Sequence, residues 1–222
     1  MIITIDGPSG TGKSTIARLL AKRLGFSFFD TGAMYRSLAW WIQRENIDLS
    51  KKELFLIRLK DFQFSIKEEV EGKRYLVYDI DVTEEIRKKE ITEAVSCIAA
   101  IKEVRDFLLP IQREYAKRCD SVFEGRDLGT IVFPEAEVKF FLIASPEVRG
   151  KRRYLELISN NPDSSIKLEE VVKSLQERDD SDSSREIAPL KCPLDSKVVD
   201  TSGLSIDQVI EILLQYILTK KK

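Results

Sequence analysis

Residues 7–14, Gly-Pro-Ser-Gly-Thr-Gly-Lys-Ser, constrain the fold of this chain more than any other segment. They match G-x-x-x-x-G-K-[ST], a loop whose glycines let successive backbone N–H groups point toward phosphate oxygens. The β-branched residues 2–5 before the loop predict a buried strand. After the loop, Ile16, Leu20 and Leu24 recur at helical spacing. A strand, a glycine-rich loop and a helix in this order predict a phosphate-binding loop, the P-loop, within an α/β fold.

The P-loop predicts a nucleoside triphosphate as ligand. In such loops the lysine reaches the β- and γ-phosphates and the next hydroxyl can bind Mg²⁺, so these roles fall to Lys13 and Ser14. The chain lacks the Asn-Lys-x-Asp motif of guanine-reading switch GTPases. A glycine turn that binds nothing is the alternative interpretation. The predicted nucleotide-binding residues are Gly7, Pro8, Ser9, Gly10, Thr11, Gly12, Lys13, Ser14 and Thr15.

The composition excludes several classes of function. The chain has 36 lysines and arginines against 37 aspartates and glutamates, so its net charge of −1 gives no general attraction to nucleic acids or anionic membranes. It contains no histidine, which removes histidine-dependent catalysis and imidazole-bound zinc. No segment approaches the ~20 apolar residues that span a bilayer. The N-terminus lacks the pattern of a signal peptide, and we expect a cytoplasmic protein.

Short apolar runs alternate with amphipathic stretches along most of the chain, which predicts a parallel sheet flanked by helices. Residues 62–82 differ, because Phe62, Phe64 and Ile66 alternate with polar residues and a strand at 75–78 follows a turn at 68–72. This pattern predicts a small antiparallel sheet in an inserted subdomain. The other predicted strands are 26–29, 122–123, 138–143 and 198–199. Further helices are predicted at 34–43, from Ser145 to a break at 160–163, around 171–175, and from Ser205 to about 218, and helical patterns cover about 92–118.

Arginines beside several loop signals predict a second anionic pocket. A phosphotransferase must hold two highly charged groups together and exclude water, which requires several cations. The acidic run at 179–182 would oppose the dipole at a helix C-terminus, which favours a functional reason for it. For the arginines after Ser145, a solvated helix face is an equally good interpretation. The candidates are Arg36, Arg126, Arg149, Arg152, Arg153, Arg178 and Arg185.

Further stretches resemble the cytidylate kinases of bacteria, in the expected order and over nearly the whole chain. Gly-Arg-Asp-x-Gly-Thr-x-Val-Phe-Pro at 125–134 is far more specific than a P-loop. Glu124 stands where this family often has aspartate. The matching stretches are DTGAMYR at 30–36, IDVTEEIR at 80–87, VSCIAAIKEVR at 95–105, QREYA at 112–116, EGRDLGTIVFP at 124–134 and ERDDSDSSREIAPL at 177–190.

The resemblance implies a single domain over residues 1–222 with the α/β fold of P-loop kinases. Its core would span about 1–35 and 92–222, with a nucleoside-monophosphate-binding insertion at about 36–91 that continues into the following helices, and a short lid at about 149–165. The implied reaction transfers the γ-phosphoryl group of ATP to CMP or dCMP with Mg²⁺, giving ADP and CDP or dCDP. The expected protein is a monomer whose partners are these small molecules, with neither nucleic acid nor membrane.

The resemblance also implies roles for individual residues. The acceptor is already a phosphate oxyanion, so the reaction needs no general base and the lack of histidine is no obstacle. Another small P-loop kinase with a different acceptor, and a nucleotide-binding regulatory module without turnover, are the alternatives. The expected catalytic residues are Lys13, Arg126, Arg149, Arg153 and Arg185. Tyr35, Arg36, Arg126 and Arg185 would surround the acceptor phosphate, Thr31, Arg178 and Asp182 would lie by the sugar, and Ser96, Arg105 and Asp127 would face the cytosine.

Overall fold

The computed structural model describes residues 1–69, 72–160 and 165–220, and these form two compact units. One unit is Asp30–Gln112, and the other comprises the described residues on either side of it. In chain order, the strands are β1 (Ile2–Asp6), β2 (Ser27–Asp30), β3 (Phe64–Glu69), β4 (Gly72–Val77), β5 (Ile80–Asp81), β6 (Ser121–Glu124), β7 (Val138–Ile143) and β8 (Lys197–Asp200). The helices are α1 (Lys13–Leu24), α2 (Thr31–Arg44), α3 (Lys52–Leu59), α4 (Lys89–Ala99), α5 (Lys102–Ala116), α6 (Pro146–Asn160), α7 (Leu168–Ser184) and α8 (Ile206–Lys220), with short helical turns at Glu85–Arg87 and Leu128–Val132.

A five-stranded sheet with the order β2-β6-β1-β7-β8 forms the centre of the first unit. β1 pairs in parallel with both β6 and β7, and β7 pairs in parallel with β8. Ile3 and Ile5 on the central strand are fully buried in a cluster that includes the apolar faces of α1 and α8. The predicted α/β fold with a parallel sheet is confirmed, and the P-loop lies at the carboxyl end of its central strand.

The second unit contains a three-stranded antiparallel sheet with the order β3-β4-β5, as the alternating pattern predicts. Phe64 lies opposite Val77, and its ring stacks on Tyr75 with centroids 6.2 Å apart. The predicted strand at 75–78 begins three residues after the start of β4 and ends one residue beyond it, since Tyr78 adopts a left-handed conformation with φ 54°. This residue lies between β4 and the short strand β5, which pairs antiparallel with β4.

Two predicted helices differ from the observed ones. The helix expected at 34–43 begins earlier, at Thr31, because the Asp30 carboxylate accepts a hydrogen bond from the Ala33 N–H at 2.8 Å and caps the helix. The helical patterns expected at about 92–118 form two helices, α4 and α5. Backbone bonds from Ala100 N to Cys97 O and from Ile101 N to Ile98 O tighten the last turn of α4 and end it.

The starts of α6 and α8 follow their sequence signals. Ser145 caps α6 by accepting from Val148 N at 3.3 Å, and Ser205 and Gln208 exchange reciprocal hydrogen bonds at the start of α8. The predicted turn at 68–72, the helix break at 160–163 and the lid at 149–165 each include residues outside the described ranges. Within those ranges, no helix is both long enough and apolar enough to cross a bilayer.

Candidate active site

The P-loop connects β1 to α1 in a conformation that its glycines permit. Gly7 has φ 143°, and a Cβ atom there would lie 2.1 Å from the Leu142 carbonyl oxygen of β7. Gly10 and Gly12 have φ 78° and 89°, a region that other residues seldom adopt. Gly12 precedes α1 and provides no side-chain cap, so the first backbone N–H groups of α1 and its positive dipole end suit an anionic ligand.

Ser9 is the residue at which the P-loop meets three other segments of its unit. Its backbone N–H donates to Asp179 Oδ1 at 2.8 Å, and its carbonyl oxygen accepts from Arg149 Nη1 at 2.9 Å. Its hydroxyl oxygen accepts from Arg126 Nη2 at 2.9 Å. The structure therefore brings two predicted catalytic arginines, Arg126 and Arg149, onto one residue of the predicted nucleotide-binding loop.

The Arg126 guanidinium also binds Asp182, with Nε 3.0 Å from Oδ2. Arg185 extends this cluster, because its Nη1 lies 3.7 Å from Asp182 Oδ1. Burial works against the charge of Arg126, but the carboxylates of Asp182 and Glu124 outweigh it and raise the pKa of Arg126. Of the predicted acceptor-site residues, Arg126, Asp182 and Arg185 are thus in direct contact. Asp127 and Arg178 lie in the same unit, the first buried and the second half-buried.

Lys13 is buried, with 5% of its surface exposed, and its Nζ donates to the Pro8 carbonyl oxygen at 2.6 Å. Burial and, to a smaller extent, the nearby Arg126 guanidinium together lower the pKa of Lys13 to about 7, although the carboxylates of Glu124 and Asp179 raise it. The charged ammonium group of Lys13 loses its hydration on burial, and the nearby carboxylates do not fully compensate for that loss. A bound phosphate would supply the missing negative charge.

Ser14, next in the chain, is exposed, and its Oγ donates to Glu124 Oε1 at 2.9 Å. Glu124 is the last residue of β6 and is 6% exposed. A hydroxyl and a carboxylate at the end of a central strand are hard oxygen ligands of the kind that Mg²⁺ prefers. Within the described part of the chain, no three acidic or cysteine residues form a cluster that could hold a metal alone, so phosphate oxygens and waters would complete the coordination.

Asp6 ends β1 and holds the segment that follows Asp127. Its two carboxylate oxygens accept from Leu128 N at 3.0 Å and from Gly129 N at 2.8 Å. Burial raises the pKa of Asp6 to about 7 although both backbone hydrogen bonds lower it. The conformation of the Gly-Arg-Asp segment therefore depends on a buried carboxylate one residue before the P-loop.

The arginines of α6 do not form a solvated helix face. Arg149 is 7% exposed, and its guanidinium donates to the carbonyl oxygen of Ala144 as well as to Ser9 and Asp179. Arg152 donates to the carbonyl oxygen of Thr201 at 2.6 Å and to its hydroxyl at 2.9 Å. Arg153 is more exposed and pairs with Glu156 at 2.8 Å, one turn along α6. Arg149 thus contacts the P-loop, whereas the expected catalytic contact of Arg153 stays a prediction.

The predicted monophosphate-site residues of the second unit lie on three of its helices. Arg36 on α2 pairs with Asp30 at 3.0 Å, and its neighbour Tyr35 lies under the Arg105 guanidinium, 5.6 Å from ring centroid to Cζ. Arg105 on α5 is 7% exposed and also donates to the Ala99 carbonyl oxygen at 3.0 Å. Thr31 is the buried first residue of α2, and Ser96 is half-buried on α4.

Comparison with known proteins identifies the family. The sequence model of the cytidylate kinases matches residues 3–219. The cytidylate kinase of Protochlamydia amoebophila is 50% identical over 218 residues, which cover 97% of this chain and 96% of that protein. This chain belongs to the cytidylate kinase family. The cytidylate kinase of Carboxydothermus hydrogenoformans is 42% identical over 217 residues, covering 98% of this chain and 97% of that protein.

Family membership confirms the prediction of a kinase that binds ATP. A solved structure of an uncharacterised protein from Eubacterium ventriosum is 12% identical, with a TM-score of 0.54 over 99% of this chain and 98% of that one. This likeness concerns the fold alone. The roles of individual residues in this cytidylate kinase family member stay predictions.

Sequence reasoning missed several residues that contact the predicted site. Asp179 lies in the acidic run at the end of α7, and its unfavourable place in the helix dipole was the signal available. Asp6 directly precedes the P-loop, but nothing in the sequence points to its contacts. Thr201 donates its hydroxyl at 3.2 Å to the carbonyl oxygen of Thr11, a contact between residues 190 positions apart that leaves no local signal.

Proposed function

We propose that this chain transfers the γ-phosphoryl group of ATP to CMP or dCMP, giving ADP and CDP or dCDP, as a monomeric cytoplasmic enzyme. Membership of the cytidylate kinase family makes it a kinase of these acceptors. The observation that carries the residue-level proposal is the hydrogen bond between Ser9 of the P-loop and Arg126. One residue of the donor loop thereby contacts an arginine that the resemblance assigns to the acceptor phosphate.

On the donor side, the P-loop binds the triphosphate with its backbone N–H groups and with the N-terminus of α1. Lys13 exchanges the Pro8 carbonyl oxygen for a phosphate oxygen, which restores a full charge to its ammonium group. Arg149 is held 2.9 Å from the Ser9 carbonyl oxygen and supplies a second cation beside the loop. These fixed charges stabilise the negative charge of the transferring phosphoryl group, and orient it without a proton transfer.

The residues at the end of β6 and the start of α1 fit Mg²⁺. Ser14 and Glu124 present a hydroxyl and a carboxylate 2.9 Å apart, and both are hard oxygen donors. Bound Mg²⁺ would neutralise charge on the β- and γ-phosphates. In this proposal Ser14 contacts the ion and Glu124 orients the Ser14 hydroxyl or an ion-bound water. The glutamate in place of the family's frequent aspartate keeps the charge and extends its reach by one methylene.

On the acceptor side, the proposal assigns the phosphate to Tyr35, Arg36, Arg126 and Arg185. The sugar is assigned to Thr31, Arg178 and Asp182. For the assigned residues of the first unit, the contacts of Asp182 with Arg126 and with Arg185 support the proposal. The same carboxylate offsets the mutual repulsion of the two guanidinium groups. The acceptor phosphate can then bind the two guanidinium groups in place of some of their contacts with Asp182.

Base choice is assigned to Ser96, Arg105 and Asp127 on chemical complementarity. Cytosine presents two acceptors, O2 and N3, and one donor, the N4 amino group. Arginine has donors only and an ionised aspartate acceptors only, so Arg105 suits O2 and N3 while Asp127 suits N4. Uracil has a carbonyl in place of the amino group and a donor at N3. Each buried mismatch costs about 1–3 kcal/mol, so we expect kcat/KM for CMP to exceed that for UMP strongly.

A coupled assay of ADP release over a panel of nucleoside monophosphates tests the proposal. ADP release that depends on CMP or dCMP supports the proposal. ADP release that occurs only with a different acceptor contradicts it, and so does ADP release without phosphorylation of any acceptor. Asp127→Ala should lower kcat/KM for CMP far more than for UMP. Asp180→Ala, at an exposed position, should leave the ratio unchanged. Equal losses for both nucleotides in Asp127→Ala would contradict its role in base selection.

A further inference from the structure

Asp179 is a buried carboxylate that none of the assigned roles uses. It lies in the second-last turn of α7 with 8% of its surface exposed. Its Oδ1 accepts from the backbone N–H of Ser9 at 2.8 Å, and its Oδ2 accepts from the Arg149 guanidinium. One side chain thus binds the P-loop backbone and the α6 arginine that contacts the same P-loop residue.

These contacts form a closed set of three groups. Asp179 binds the N–H of Ser9, Arg149 binds the carbonyl oxygen of Ser9, and Asp179 and Arg149 bind each other. A charged donor and a charged acceptor therefore fix both polar groups of one P-loop residue. The Asp179 charge also favours the charged form of Lys13, the lysine at the end of the same loop. A carboxylate near a helix C-terminus opposes the helix dipole, so the stability of α7 itself does not account for Asp179.

We propose that Asp179 is a positioning residue of the P-loop. It holds the Arg149 guanidinium against the loop and fixes the peptide of Ser9, so that both stand ready when ATP binds. Asp179 need not contact substrate for this, because it acts through Arg149 and Ser9. This inference rests on the proposed function, because the reaction that Asp179 would support is the one proposed above. It gives α7 a part in the donor site.

Asp180 provides a matched control at the adjacent position. It is exposed, and its Oδ1 accepts from Gln176 Nε2 at 3.1 Å within α7. Asp179→Asn and Asp180→Asn make the same change of charge in the same turn of the helix. Only Asp179→Asn replaces an acceptor oxygen that faces Ser9 or Arg149 with an NH₂ group. Because NH₂ is a donor, it cannot accept the hydrogen bond that Ser9 or Arg149 donates.

The experiment measures kcat and both KM values for wild type, Asp179→Asn and Asp180→Asn, together with their melting temperatures. We expect Asp179→Asn to lower kcat by about tenfold or more and to raise KM for ATP, with KM for CMP within about twofold of wild type. Asp180→Asn should match wild type in all three constants. A variant of Asp179 that melts earlier but keeps the wild-type kcat and KM for ATP would overturn the proposal, since that result indicates a structural role only.

Two further variants keep the test decisive if Asp179→Asn folds poorly. Asp179→Glu keeps the charge with a displaced carboxylate, and we expect it to fold and to retain more activity than Asp179→Asn. In an Arg149→Gln background, adding Asp179→Asn should lower kcat by a smaller factor than it does in wild type, because the contact between the two side chains is already lost and only the contact with the Ser9 N–H remains to be lost. Full additivity of the two losses would overturn the proposal. Inactive wild-type protein with CMP would instead contradict the proposed function, which separates the two failures.

Discussion

Substituting Gly150 with alanine tests the closest approach between α6 and α7. A Cβ atom at this position would lie 2.3 Å from Val172 Cγ2 and 3.5 Å from Val172 Cβ. Carbon atoms in favourable contact are about 3.5–4.0 Å apart. The added methyl group therefore overlaps one methyl of Val172, whereas the rest of that side chain lies at contact distance.

The overlap and the helix propensity act in opposite directions. Overpacking of this kind costs about 1–3 kcal/mol, whereas alanine in place of glycine within a helix gains about 1 kcal/mol. Val172 cannot rotate away cheaply, because a valine in a helix keeps one strongly preferred rotamer. We expect Gly150→Ala to lower the free energy of unfolding by up to about 2 kcal/mol. In a Val172→Ala background, the same substitution should raise it by up to about 1 kcal/mol, because the overlapping atom is absent.

Equilibrium unfolding in urea of wild type, both single variants and the double variant gives the coupling between the two positions. Since α7 carries Asp179, the single variant Gly150→Ala should also lose kcat, and the double variant should recover it. The reversal of sign between the two backgrounds is the decisive observation. If Gly150→Ala changes the unfolding free energy equally in the wild-type and Val172→Ala backgrounds, contact with Val172 is not the reason that residue 150 is a glycine.

Two further predictions concern buried charges of the P-loop region. Lys13→Ala should lower kcat by orders of magnitude while the protein stays folded, because several kcal/mol of transition-state stabilisation disappear; a near wild-type kcat would contradict the role of Lys13. Burial raises the pKa of Asp6 from 3.8 to about 7, so stability from its neutral form is present below pH 3.8 and is lost as the pH rises through about 7. The difference in unfolding free energy between wild type and Asp6→Asn should therefore decrease by up to about 4 kcal/mol as the pH rises from about 4 to about 8. Denaturant titrations at several pH values measure this difference, and a difference that does not change with pH would refute the raised pKa.

Elements with local signals were predictable from the sequence. Gly25, with φ 71°, ends α1 where the periodic apolar residues end, and the Ser205–Gln208 pair begins α8. The break between α4 and α5 was not predictable, because residues 99–102, Ala-Ala-Ile-Lys, contain neither glycine nor proline. The conformation of Tyr78 was equally hidden, since an aromatic residue seldom adopts a positive φ.

The candidate site was predictable in its residue types but not in its contacts. The P-loop and the Gly-Arg-Asp segment are contiguous, so their sequence alone points to phosphate chemistry. The ion pair of Arg149 with Asp179 joins residues 30 positions apart, and the bond of Ser9 to Asp179 joins residues 170 positions apart. Neither spacing carries a periodic signal, because the contacts depend on how α6 and α7 pack against each other and meet the P-loop.

The carboxylates of α7 explain how the site holds its buried cations. Arg126 and Arg149 each bind one of them, Asp182 and Asp179 respectively, so neither guanidinium is buried without a counter-charge. Lys13 donates to the Pro8 carbonyl oxygen, and among the residues that the structure describes no carboxylate hydrogen-bonds to it. Burial lowers its pKa to about 7. Charge compensation in this unit is therefore complete at the two arginines and incomplete at the lysine. For the proposed reaction, we expect an arriving triphosphate to gain most where compensation is incomplete, at Lys13, while the paired arginines keep their positions beside the P-loop.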